Sequence, residues 1–110
     1  MAQSYLIFDF GGNESAAQAA RHKLESWRQA FRLDRKLQFK FERTSPEKTN
    51  GGEKIAIHVR LDFSDHERLS RQRWLERIPT EEPFHTVPAN VLQRGDDGFD
   101  EEASRFDNLE

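Results

Sequence analysis

The apolar positions of this chain change their period along its length, and each change marks an element. Tyr5 to Phe10 (YLIFDF) is a nearly continuous apolar run of strand length, as expected of a strand covered on both faces or lying mid-sheet, and Gly11 and Gly12 end it. Ala16, Ala20, Leu24, Trp27 and Phe31 then recur at steps of four and three, the stripe of an amphipathic helix. Its start is read at Asn13 or at Ser15, the latter with Gln18 as capping-box partner, and its end near Leu33. From Leu37 the period falls to two. Leu37, Phe39 and Phe41 point one way while Gln38, Lys40 and Glu42 point the other, so residues 37 to 43 form a half-buried strand. Thr44 to Glu53 carries Pro46 and an Asn50-Gly51-Gly52 turn signal, too long for a tight hairpin but adequate for a flexible one. Alternation returns over residues 54 to 63, with Ile55, Ile57, Val59, Leu61 and Phe63 on the buried side. Ser64-Asp65-His66-Glu67 is a capping box that opens a second helix, with Leu69, Trp74, Leu75 and Ile78 as its apolar residues and Pro79 as its stop. Phe84 to Leu92 reads as a fourth strand, which Pro88, lacking a donor, confines to an edge or a bulge.

The order β-α-β-β-α-(β), with short connections and helices apolar on one side only, predicts an α+β two-layer sandwich in which an antiparallel sheet carries its helices on one face. Right-handed crossovers make this ferredoxin-like or a related arrangement, with the first and third strands central. A sandwich without the fourth strand is the alternative. Trp27 and Phe31 are expected to cover Phe39, Phe41, Ile57 and Val59.

Composition sets the scale of the core. The chain has 110 residues, 35% hydrophobic and 34% charged, so one small core is all it supports, and nine Phe, two Trp and one Tyr must supply much of its volume. No window approaches a membrane-spanning run and the first residues lack a signal-peptide pattern, so neither membrane insertion nor secretion is expected. The absence of cysteine excludes a disulfide framework, a thiol nucleophile and cysteine-bound zinc, a composition of the cytoplasmic type.

Charge is segregated along the chain. Residues 1–94 carry 16 Lys and Arg against 13 Asp and Glu, whereas residues 95–110 carry Arg105 against seven acids, so a body of +3 bears a tail of −6. We therefore read residues 1–94 as the α+β domain and 95–110 as an acidic C-terminal tail. In that tail Phe99, Ala103, Phe106 and Leu109 recur at helical spacing, with acids where the positive end of a helix favours them. A short acidic amphipathic helix is expected. It either docks on the basic body, the favoured outcome, or serves a partner through a motif of Phe99, Phe106 and Leu109, with plain disorder as the remaining alternative.

With the apolar sides of the strands facing the helices, Tyr5, Lys40, His58 and Arg60 lie on the open face of the sheet. That face resembles the RNA-recognition motif, which stacks bases on aromatic residues of its central strands; the resemblance implies a stacking role for Tyr5, while Ala56, His58 and Arg60 stand where that family carries aromatics. YLIFDFGG resembles the first motif of haloacid-dehalogenase-like hydrolases, which implies Asp9 as a phosphoryl-accepting nucleophile, and Gly95 to Asp100 resembles that family's metal-binding acidic motif. The chain between them is too short for that family's doubly wound sheet. Among His22, His58, His66 and His85 no pair has the spacing of a metal-binding helix, so neither metal nor cofactor is expected. The reading favoured for function is a non-catalytic protein-interaction module. Weak nucleic-acid or anionic-ligand binding through Tyr5, Lys40, His58 and Arg60 comes second, and an enzyme using Asp9 or His58 third.

Overall fold

The computed structural model describes residues 2–44, 54–93 and 95–109, which form an open four-stranded antiparallel sheet and three α-helices. In chain order these are β1 (Ala2–Gly11), α1 (Glu14–Ala30), β2 (Leu37–Thr44), β3 (Lys54–Phe63), α2 (Arg68–Arg77), β4 (Ala89–Gln93) and α3 (Phe99–Asn108). The sheet order is β2-β3-β1-β4, so the two most apolar strands occupy its centre. The fold class is α+β. The turn signal at Asn50-Gly51-Gly52 lies outside the described residues.

Side-chain alternation divides the sheet into two faces. Leu6 pairs with Val59 and Phe8 with Ile57, while Phe39 and Phe41 pair with Val59 and Ile57 from the other side. These residues share one face and join Ala17, Ala20, Leu24 and Trp27 of α1 and Trp74 and Leu75 of α2 in a single apolar core. Full burial of a Leu, Ile, Val or Phe side chain contributes about 1.5–3 kcal/mol, which is why this face determines the register. At the end of β1 the pairing shifts between Asp9 and Gly11, and Gly11 takes φ 59°, a left-handed conformation open to glycine at little cost.

Local chemistry accounts for the helix starts. Asn13 caps α1, its side chain accepting the Ala16 N–H at 3.1 Å, so of the two expected caps the asparagine serves. The Glu67 carboxylate accepts the Ser64 N–H at 3.2 Å and the Ser64 hydroxyl at 3.0 Å, and the chain enters α2 through a 3-10 turn at Asp65–Glu67.

Three expectations about the core are corrected. Phe31 is 51% exposed and does not cover the sheet, because α1 stops at Ala30 and the chain turns away, leaving Phe39 and Phe41 only partly buried. Leu69 is 77% exposed: it lies five residues before Trp74, about 140° from it around the helix and off the stripe of Trp74, Leu75 and Ile78. Phe84 to Thr86 is a 3-10 turn rather than strand, and Phe84 is fully buried, its ring 4.7 Å from Phe8 and 6.0 Å from Trp27. The fourth strand is thus the shorter β4, at the edge beside β1 and just past Pro88.

The helices do not all share one face. α1 and α2 lie against the core face, but α3 lies on the opposite one, against Tyr5, Lys40, His58 and Arg60. Two exposed phenylalanines on a free tail would be costly in water, and the sheet offers the apolar and cationic surface that removes the cost. No helix among the described residues is long and apolar enough to cross a membrane.

Candidate functional site

The sheet face under α3 gathers the four side chains expected to act together. Tyr5 on β1 pairs in register with Arg60 on β3, and Arg60 with Gln38 on β2, while the next cross-strand row brings Lys40 opposite His58. The pleat places all four on one side. The face is not open, however: Tyr5 and His58 are fully buried, because α3 covers them.

Two aromatic rings of α3 seat on Tyr5. Phe99 meets it nearly edge-on at 5.4 Å between centroids and Phe106 at 5.7 Å, the tilted geometries that aromatic quadrupoles favour. Phe106 is fully buried, and its ring also takes the Lys40 ammonium at 4.8 Å and the Arg60 guanidinium at 4.6 Å. The Lys40 ammonium donates to the Phe106 carbonyl at 2.7 Å, near the C-terminal end of α3. Arg60 donates to Asp107 at 3.2 Å and to Gln38. Leu109, half-buried just past the end of α3, returns its N–H to the Arg105 and Phe106 carbonyls.

His58 is the centre of the polar part. Its Nδ1 lies 2.7 Å from Glu102 Oε2 of α3 and its Nε2 lies 3.2 Å from Glu42 Oε1 of β2. Ionised carboxylates only accept, so carboxylates at both ring nitrogens favour the doubly protonated imidazolium, in which both nitrogens donate. Burial by itself would lower the His58 pKa, but the hydrogen bonds and charges of Glu102 and Glu42 outweigh it and raise the value above the ordinary 6.5. Glu102, only 6% exposed, is balanced by this contact, and Arg105 reaches Glu42 at 3.7 Å from the same helix. Burial likewise raises the Tyr5 phenol above its ordinary value, against an opposing effect of Arg60.

Glu102 and Glu42 are the participants that sequence reasoning missed. Glu102 did carry a signal, lying three residues after Phe99 and four before Phe106 and hence on the same helical face. Glu42 carried a partial one: alternation puts it on the face of Lys40, but its approach to His58 depends on the pairing of β2 with β3.

Beside α3 the sheet face opens into a groove of about 470 Å³, where Asp9, Glu42 and His58 face Asp97, Glu101 and Glu102. The two acidic segments that resemble hydrolase motifs therefore line one groove. Asp9 nevertheless uses its carboxylate locally, accepting the Gly11 N–H at 2.9 Å as a turn residue does, and the sheet that carries it is antiparallel. Among the described residues no three His, Asp or Glu side chains are grouped to hold a metal ion. With α3 in place Tyr5 presents no face to a nucleic-acid base. No protein-family model, curated protein or solved structure matches the chain, so the site stands on its own geometry.

Proposed function

We propose that this protein is a non-catalytic interaction module whose sheet face receives an acidic, phenylalanine-bearing helix of a protein partner, with α3 occupying that face when the partner is absent. The supporting observation is the way α3 is held: two phenyl rings on Tyr5, a carbonyl on Lys40, and carboxylates on His58 and Arg60. Each is an interaction that an amphipathic helix laid on a complementary face makes with its receptor. The groups that would bind nucleic acid are instead committed to a helix.

The order of the first six elements and the central positions of β1 and β3 support a ferredoxin-like body, to which α3 adds a layer on the second face. The cysteine-free composition suits a cytoplasmic setting.

Competition in the full chain tests the proposal. Phe106→Ala should release α3, seen as random-coil shifts for residues 99 to 108, and a peptide of residues 95–110 added in trans should then shift the amides of Tyr5, Lys40, His58 and Arg60. The unaltered protein, with its own helix at high effective concentration, should respond at least about tenfold more weakly. A released face that ignores the peptide would refute the receptor reading.

A further inference from the structure

A second concave site lies on the far side of the molecule from α3. It is a cleft of about 310 Å³ between the end of α1 and α2, with Phe31, Arg32, Lys36, Arg73, Trp74 and Arg77 among its walls. We propose that this cleft binds a small phosphorylated aromatic molecule of the mononucleotide kind. This inference is independent of the interaction reading of the sheet face.

The ring site comes first. Phe31 is the residue at which α1 ends, and it is 51% exposed. It stands edge-on to Trp74, at 5.2 Å and 81°, while the Arg77 guanidinium lies 5.5 Å from Phe31, 5.2 Å from Trp74 and 5.6 Å from Trp27. Phe31 is thus a braced ring with half its surface open to water, a platform on which a planar ligand can stack.

The anion site adjoins it. The cleft contributes four cations, Arg32, Lys36, Arg73 and Arg77, against one acid, Glu67. Lys36 is paired with Glu67, and Arg77 with Glu81 at 3.3 Å. Arg32 and Arg73 have no ion pair among the described residues, and both are exposed. Two uncommitted guanidinium groups beside a stacking ring suit a phosphate, which they can hold through paired N–H donors.

The backbone beneath points to the same use. Arg32 and Asp34 take φ 51° and 49°, left-handed conformations that cost a non-glycine residue free energy. The turn is held by the Leu33 N–H on the Arg28 carbonyl at 2.9 Å and the Lys36 N–H on the Leu33 carbonyl at 2.7 Å, with Leu33 buried beneath. The strain therefore coincides with the turn that brings Phe31, Arg32 and Lys36 to one cleft. Its volume, at the lower end of the range of about 300–1,000 Å³ for small-molecule sites, admits a mononucleotide and not a helix.

Titration of the full-length protein with adenosine monophosphate, adenosine and inorganic phosphate, followed by amide shifts and tryptophan fluorescence, tests the assignment. The monophosphate should shift Phe31, Arg32, Arg73 and Trp74 and change the fluorescence, with adenosine and phosphate each at least about tenfold weaker. Arg73→Gln and, separately, Arg32→Gln should weaken the monophosphate about tenfold or more, and Phe31→Ala about fivefold or more, the three residues being exposed and the fold retained. The proposal is overturned by the absence of any response at about 5 mM monophosphate, a concentration above the weakest affinity expected of a stacked and paired ligand. Shifts confined to the sheet face, or phosphate alone binding as tightly as the nucleotide, overturn it as well.

Discussion

At the scale of single residues, the decisive group is His58, an alternating strand residue that sequence alone places on an open sheet face. The carboxylates of Glu102 and Glu42 at its two ring nitrogens favour the charged form of this buried ring against the effect of burial, and so join β2, β3 and α3. Its raised pKa has a definite thermodynamic sign. The folded value lies above 6.5, so the stabilisation from the imidazolium is complete below pH 6.5 and is lost as pH rises through the folded value. Docking of α3, followed by the amide shifts of residues 99 to 108 between about pH 6 and pH 9, should therefore weaken as pH rises. His58→Gln should abolish that dependence and cost about 1.5–3 kcal/mol, the contribution typical of hydrogen bonds to charged groups. Docking that stays constant with pH in the unaltered protein would remove the imidazolium from the account.

At the scale of elements, the strand pair β2 and β3 follows closely from its alternation, whereas α2 does so only in part. Ile57 lies under the helices and is fully buried, while Leu69, equally apolar, extends into water from the first turn of α2. The difference is one of angle, since residues 74, 75 and 78 define the buried stripe and residue 69 falls off it. Ile57→Ala should cost about 2–5 kcal/mol, through lost transfer energy and a residual cavity. Leu69→Ala should stay within about 0.5 kcal/mol, as surface changes do. Denaturant unfolding of the two variants compares them directly, and similar losses would contradict the orientation of α2. Phe31 follows the same lesson: it fits the stripe of α1 by spacing, but the helix ends one residue too soon to bury it.

At the scale of the whole molecule, the acidic tail and basic body are complementary, and α3 brings them together through His58 with Glu102, Arg60 with Asp107 and Arg105 with Glu42. The exposed pairs are screened by salt, whereas the burial of Phe106 is not. Raising salt from about 0.05 M to 0.5 M should therefore lower the hydrogen-exchange protection of residues 99 to 108, by about 1 kcal/mol or less per exposed pair, without releasing the helix. Full release would mean that charge alone holds it, and unchanged protection that charge contributes nothing. The sequence by itself determined the α+β class, three of the four strands to within a few residues, the Ser64–Glu67 capping box, which closes the 3-10 turn ahead of α2, and the amphipathic character of the tail, because these depend on neighbours one to four residues apart. The tertiary structure alone decided that α3 covers the second sheet face, that His58 meets Glu102 44 residues away and Lys40 meets Phe106 66 residues away, and that Phe31 is left open beside Arg77. Periodicity reports which side of an element is apolar, but the partner of that side is chosen by packing between segments distant in sequence, where charge, shape and the angle at which a helix ends act together.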